Sequence, residues 1–600
     1  MARVDGVGMA GALREAARAS LLLLAALLPF EMTRPLARLG PLQLSSVELF
    51  LYLALAVWGA SVADGLLGGA RVRHRGAGGR RLPATHAAVL VWTLVLFASA
   101  LCAPALRGTA IKFALRSLSG ILLYPAAVDL LRGPAAITRV AQALAAGAIS
   151  AALLMLAEGR LARVTEALRP FHGQTFEVFG LVRGSGPFQY PNIAAMYLEA
   201  VLPLVFVLGL SSIVARWTRP HAGASLGPIA GSAWPLLALL ALLALLGGIL
   251  TTASRAGLAT AVVCLVALGI CLALARVTRR SAWAAFGALA VLGLASQLAS
   301  SALTLRLRFW KDADWYRAAL VPVAGPAGQM PARLPPAGEV SVTFEARNLG
   351  ALTWRRLPPT PVALSYHWID ADSGEIAVFD GARFELPADV PPGGSAMVRG
   401  TAVAPTRPGR YLLWWDLVHE HATWFSQRGN PGVRRTIEVA GFDAAGATTG
   451  RADSVVRFAV SDVVPRAALW RAALAAWREH PLLGLGADNF RHLYGRYLGL
   501  PDPDDRLHAN NLYLETLADE GTLGFLALVF LVGALGSAAR GAAAPPPTRL
   551  LALGLSVGLG AYLVHGIFDT FLEFTPTFAL PWLLAGMLVA LGRAPGEAAA

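Results

Sequence analysis

Three short stretches of this chain combine side chains able to grip an anion or move a proton. Val182-Arg183-Gly-Ser-Gly-Pro-Phe-Gln-Tyr-Pro191-Asn192 places one guanidinium in a run rich in glycine and proline. Its Pro191-Asn192 pair would open a helix whose amino end favours anions. Thr251-Thr252-Ala-Ser254-Arg255-Ala-Gly257 sets a second guanidinium among hydroxyl donors. The third stretch is His480-Pro-Leu-Leu-Gly484-Leu-Gly486-Ala-Asp-Asn489-Phe490, continued by His508-Ala-Asn510-Asn511-Leu-Tyr513-Leu-Glu515 and Asp519-Glu520-Gly521-Thr-Leu-Gly524. A helix starting near Asn510 would put Asn511, Leu514 or Glu515, and Ala518 on one face. His508 would then sit at its mouth, where an imidazole exchanges protons near neutral pH. Taken singly, each Arg also fits a loop cation that meets phospholipid head groups.

The elements that must position these residues are membrane helices. The chain has 600 residues, 56% of them hydrophobic and 15% charged, with a mean hydropathy of +0.56. Apolar stretches of about 20 residues, the length that spans a bilayer as helix, recur towards both ends. They fall near 19–37, 46–66, 86–105, 109–131, 137–157, 192–214, 234–252, 256–275, 282–303, 521–539, 549–567 and 575–592. The expectation is an all-α polytopic membrane protein of about twelve spans. The net charge of +14 comes from arginines scattered through the interhelical loops; it reports topology and excludes a nucleic-acid face. Arg3, Arg14 and Arg18, Arg71 to Arg81, Arg132 and Arg139, Arg216 and Arg219, Arg276 to Arg280, Arg540 and Arg549, and Arg593 fall on one side. The positive-inside rule makes both termini cytoplasmic. The outward segments are then 158–191, the turn Thr251–Arg255, the long region 304–508 and the turn 567–574. Met1 to Ser20 is basic and leads into an apolar run, which reads as a retained first helix rather than a cleaved signal. Cys102, Cys264 and Cys271 all lie in apolar segments and provide neither a disulfide framework nor a zinc spacing.

The domain plan is therefore a membrane core over 1–303 and 509–600, interrupted by an outward region over 304–508, which the family resemblance given below places in the periplasm. Inside that region, residues 338–440 alternate in hydropathy with turn residues between the runs, the pattern of short antiparallel strands. Asn348 to Trp354, Leu364 to Trp368, Leu386 to Gly394 and Ala404 to Tyr411 resemble an immunoglobulin-like β-sandwich. Trp354, Trp368, Trp414 and Trp415 are expected to pack its core, with a sugar-stacking surface as the alternative. Asp502-Pro-Asp504-Asp505 reads as a solvated acidic loop, and no metal site is expected.

The three polar stretches, in this order, together with His565-Gly-Ile-Phe-Asp569, resemble the O-antigen ligase and O-antigen polymerase superfamily of bacterial membrane glycosyltransferases. The resemblance covers about residues 20–310 and 455–592. It implies a membrane glycosyltransferase C-type fold in the bacterial inner membrane. It also implies transfer of a glycan from undecaprenyl diphosphate to a hydroxyl of lipid A-core or a similar acceptor on the periplasmic face, without metal or other cofactor. Cleaving the anomeric C–O bond releases a lipid diphosphate, and Arg183 and Arg255 are the expected forks for its growing charge. Attack from the opposite face would invert the anomeric centre, with His508 as the candidate base. Asn192, Ser254, Asn510, Asn511, Glu515 and Asp569 are the expected substrate-binding residues. The common family pattern has His directly before Asn; aligned on Asn511 and Gly521, that position holds Asn510. His508 can replace it only from an extended lead-in, since two helical positions turn a side chain by about 200°; otherwise Glu515 or another group must serve. A polymerase and a protein O-oligosaccharyltransferase share this donor chemistry, and a transporter is the alternative outside the superfamily.

Overall fold

The computed structural model describes the chain outside residues 1–3, 40–41, 68–81, 173–175, 179–180, 219–227, 275–314, 358–360, 373–375, 379, 421–422, 441–463, 465, 499–504, 542–545, 571 and 593–600. The chain forms two compact units, one built from 1–176, 182–299 and 466–600, the other from 177–181 and 300–465. The first carries helices α1 Val4–Leu27, α2 Ser46–Leu67, α3 Ala84–Leu101, α4 Arg107–Leu130, α5 Pro134–Ala157, α6 Ala162–Leu168, α7 Pro191–Thr218, α8 Pro228–Thr251 and α9 Arg255–Leu274. They are followed by α10 Arg466–Glu479, α11 Phe490–Leu498, α12 Leu512–Gly541, α13 Pro546–His565 and α14 Thr575–Leu591. Short strands β1 Ala37–Leu39, β2 Leu42–Leu44, β3 Phe176–Val178 and β4 Leu181–Arg183 lie between helices.

Among the described residues, seven helices are long and apolar enough to cross a membrane: α2, α3, α4, α5, α7, α12 and α13. Shorter apolar stretches lie in α8, α9 and α14. The count of about twelve is not reached among these residues, and the expected span 282–303 lies outside them. The first span also differs from expectation. Its helix ends at Leu27 instead of continuing to residue 37, because Pro29 disfavours helical backbone at the residue before it.

Helix α7 is the most enclosed of the seven, with 94% of its most apolar window buried. It packs against α13, α8, α5 and α9. Being surrounded by protein, it can hold Glu199 fully buried, against His565 Nδ1 at 2.9 Å. In lipid such a carboxylate would be costly, since ionisable groups within spans require a partner.

Helix α12 is broken. Gly521 has φ 68 and ψ −164 in its middle, a conformation open to glycine and strained for other residues. A break in a membrane helix frees backbone groups that lipid cannot satisfy, and the loop after α10 satisfies them. Leu485 N donates to Ala518 O and Gly486 N to Asp519 O, each at 2.9 Å; Thr522 N donates to Pro481 O at 2.8 Å and Leu523 N to Leu482 O at 3.2 Å. The approach is so close that a Cβ on Gly484 would lie 2.4 Å from the Asp519 carbonyl carbon. This contact explains the glycine in each motif: Gly521 supplies the break and Gly484 fits against it.

The second unit contains a sandwich of two sheets, whose strands begin at Ala318, upstream of the expected 338. Its further strands are β5 Ala318–Pro322, β6 Arg333–Leu334, β7 Glu339–Asn348, β8 Val362–Asp370, β9 Ile376–Val378, β10 Phe384–Glu385, β11 Ser395–Val403, β12 Gly409–His419, β13 Thr423–Trp424 and β14 Val433–Val439. The larger sheet has the order β10-β8-β12-β14-β6, with β9 and β13 added at its side; the smaller is β11-β7-β5. Alternation places Val340, Val342, Phe344 and Ala346 of β7 opposite Tyr411, Leu413, Trp415 and Leu417 of β12 in one core. Trp354, Trp368 and Trp415 are fully buried, as core packing requires. Trp414 points to the other face, where the Arg434 guanidinium lies 3.9 Å from its ring centre.

Gly521→Ala is expected to lower the stability of the detergent-solubilised chain by about 1–3 kcal/mol, because its Cβ would lie 2.4 Å from the Leu482 carbonyl carbon at positive φ. Gly560→Ala, in the open on α13, serves as the control in the same thermal unfolding series and should leave stability unchanged or raise it by up to about 1 kcal/mol.

Candidate active site

Two polar groups in the helical unit are built from the segments expected to face outward together. The first surrounds His508, which lies in the non-helical lead-in to α12. Its Nδ1 meets Glu515 Oε1 at 2.7 Å, one turn into the helix, and Ala509 N donates to Glu515 Oε2 at 2.6 Å. On the other side of the ring, Nε2 faces Glu573 Oε2 at 3.4 Å. Arg491 grips Asp488 with two bonds, at 2.9 and 2.7 Å, and Glu573 Oε1 at 2.7 Å. Asp519 carries the supporting load: its two carboxylate oxygens accept from Asp488 N and Phe490 N at 3.0 and 2.7 Å, capping the start of α11.

The second group surrounds Arg183 at the end of β4. Its Nε donates to Thr252 O at 2.7 Å and an Nη donates to Asn192 Oδ1 at 2.8 Å. The Asn192 amide in turn donates to Asp569 Oδ2 at 3.0 Å, and Arg466 lies 3.9 Å from the same oxygen. Ser254 Oγ accepts from Gly257 N at 3.1 Å, which starts α9 with Arg255 as its first residue.

The turn between α13 and α14 joins the two groups. It presents Asp569 to Asn192 and Glu573 to His508, and four residues of chain reach at most about 14 Å. Asn511 fixes the turn to the mouth of α12. Its Oδ1 accepts from Tyr513 N and Leu514 N, capping the helix, while its amide donates to Ile567 O at 2.9 Å. Three non-glycine residues at positive φ sit at these groups: Ala253, Asp488 and Asn510. Each costs about 1–3 kcal/mol, and such strain persists where surrounding bonds over-determine the backbone. At Asn510 the left-handed turn reverses the chain so that His508 folds back onto Glu515.

Electrostatics follow from this packing. Burial opposes a charge on His508, but Glu515 and Glu573 outweigh it and hold the imidazole well above its usual range. Burial alone would raise Glu573; its bond to His508 and the nearby Arg491 bring it below the ordinary carboxylate value. Burial pushes Asp488 up to about 6 against the pull of Arg491, and likewise raises Asp569 against Arg466 and His565. Asp488, His508 and Glu573 present possible metal-ligand atoms within 4.8 Å of one another. Arg491, bonded to both carboxylates, already supplies a positive charge beside them.

Of the residues expected from sequence, Arg183, Asn192 and Asp569 form one bonded chain, and His508 and Glu515 form another. Ser254, Asn510 and Asn511 shape the backbone around them, Ser254 and Asn511 through side chains engaged in capping. Asp488, Arg491 and Arg466 were not among the expected residues. The i,i+3 spacing of Asp488 and Arg491 across a helix start was the available signal for that pair. Asp502 and Asp504 of the acidic loop lie outside the described residues.

Residues 429–529 match the family model of the O-antigen ligase. The match contains Asp488, Arg491, His508, Asn510, Asn511, Glu515 and the Gly521 break, and it supports the O-antigen ligase superfamily that the motifs indicate. No curated protein matches the chain.

Because Glu573 helps to keep His508 protonated, Glu573→Gln should lower the His508 pKa. A reaction that needs the neutral imidazole would then gain activity at lower pH. A pH profile of activity should show its acidic limb displaced downward relative to wild type, whereas Asp505→Asn, at an exposed position, should leave the limb in place.

Proposed function

We propose that this protein is a membrane glycosyltransferase of O-antigen ligase type, moving a preassembled glycan from undecaprenyl diphosphate to an acceptor hydroxyl of lipid A-core or a similar molecule. The observation that carries the reading is the attachment of an arginine group and an imidazole–carboxylate group to one turn, through Asp569 and Glu573. A glycosyl transfer with a diphosphate leaving group needs both functions at opposite ends of the reacting bond.

In this mechanism His508 reacts in its neutral form: Nε2 first releases its proton to solvent, and the acceptor O–H then enters there, taking the place of Glu573. Glu515 holds the ring through Nδ1–H and stabilises the imidazolium that forms. The acceptor oxygen attacks the anomeric carbon as the C–O bond to phosphate breaks, the proton passes to Nε2, and the configuration inverts. Arg183 and Arg255 meet the growing negative charge of the lipid diphosphate, with the amino end of α9 adding its dipole. Bidentate phosphate binding requires the planar fork, which a lysine ammonium lacks.

The test is glycan transfer in a bacterial strain lacking its own ligase, at equal membrane expression, with lipopolysaccharide resolved by gel. Wild type should place glycan on lipid A-core, and Arg255→Lys and Arg183→Lys should each reduce transfer by about 100-fold or more. Lipid-linked chains that lengthen without reaching the core would establish a polymerase instead. Full activity of both Lys variants would refute the phosphate role.

A further inference from the structure

The segment following Arg183 is irregular backbone that is nonetheless buried: residues 184–188 are all enclosed. Buried amides away from helices and sheets need specific acceptors. Gly184 N donates to Thr251 O at 2.8 Å and Phe188 N to Ser185 O at 3.1 Å. The two amides between them have one acceptor in common. Ser185 N and Gly186 N donate to Glu158 Oε2 at 2.8 and 2.7 Å.

Glu158 directly follows α5 and is 4% exposed, a position in which a carboxylate requires pairing. Its other oxygen, Oε1, lies 3.0 Å from Nε2 of His172, which is 3% exposed. His172 is placed just beyond α6, its backbone N donating to Leu168 O at 3.3 Å. Glu158 thus joins the end of one helix to the loop that carries Arg183, through two amide bonds on one side and an imidazole on the other. Neither residue belongs to the polar groups around His508 and Asp569, and the family match does not reach them.

We infer that Glu158, backed by His172, is a positioning residue that holds the Arg183 loop in the shape with which its guanidinium meets the donor diphosphate; this rests on the function proposed above. The carboxylate does not touch substrate. It fixes the two residues after Gly184, so the direction of Arg183 is set from one side by Thr252 and Asn192 and from the other by Glu158. What matters is an acceptor oxygen at the right reach, more than its charge. Gln places a carbonyl oxygen at the same distance and can donate its amide to a neutral His172. Asp keeps the charge but falls one methylene short.

The experiment uses the purified full chain. Hydrogen exchange over residues 184–188 is measured alongside transfer from undecaprenyl-diphosphate-linked glycan for wild type, Glu158→Gln, Glu158→Asp and Glu158→Ala. Exchange should rise at least about tenfold and transfer fall about 100-fold in the Asp and Ala variants, since a displacement of about 1 Å at a reacting group has effects of that size. The Gln variant should stay within about threefold of wild type in both, a rescue that loss of general stability would not give. If the Ala variant fails to accumulate, the contrast between Gln and Asp decides. Unchanged exchange in the Asp variant, or faster exchange with undiminished transfer, would overturn the inference alone. A wild-type chain that transfers nothing would overturn the functional reading, and the inference with it.

Discussion

Backbone that leaves the helix inside a membrane protein must find its hydrogen bonds within the protein, and this constraint organises the whole site. Where α12 breaks at Gly521, four backbone bonds to the loop after α10 replace the missing helical ones. That loop is thereby fixed, and Asp519 beside the break caps α11 and sets the Asp488 and Arg491 pair. The same rule governs the Arg183 segment, whose buried amides end on Thr251 and Glu158. Because lipid gives helices little hydrophobic reason to associate, these polar attachments determine where the functional side chains stand. Arg183 and His508 are separated by more than half the chain, yet both depend on irregular backbone fastened in this way.

Charge balance follows from the same enclosure. His508 lies between Glu515 and Glu573, Arg491 between Asp488 and Glu573, and Asp569 between Asn192 and Arg466. Glu573 therefore serves two cations, so an acceptor hydroxyl that displaces it from His508 still leaves it bonded to Arg491. In the proposed reaction this allows the imidazole to exchange one partner for another without stranding a buried charge, which would be costly.

The sequence made much of this legible for a physical reason. Apolar length marks the membrane helices, two-residue alternation marks β7 and β12, and an Arg beside tight turns is conspicuous where lipid penalises charge. His508 and Glu515 share a short stretch, and their bond follows from a lead-in that folds back onto the first turn. Less legible was whatever depended on distant pairing or on unusual backbone. Asp488 takes its place through a positive φ and an acceptor thirty-one positions away. Glu158 acts on amides twenty-seven and twenty-eight positions later, which no local pattern reveals. The early sandwich strand Ala318–Pro322 is short, ends in proline and lacks a clean alternation; its pairing with β7 alone defines it. The first helix ended early because Pro29 disfavours helical backbone before it, and Glu31, Arg34 and Pro35 interrupt the apolar run beyond it.

The central claim, that the two groups act on one glycosyl–diphosphate bond, is most directly tested by stoichiometry in proteoliposomes. The purified chain would be supplied with undecaprenyl-diphosphate-linked glycan and lipid A-core, and released lipid diphosphate counted against glycosylated acceptor. The anomeric configuration of the product would be read by nuclear magnetic resonance. One lipid diphosphate released per glycan transferred, with inversion, is the predicted result. Retention of configuration, or release of lipid diphosphate with no glycan on the acceptor, would contradict the account.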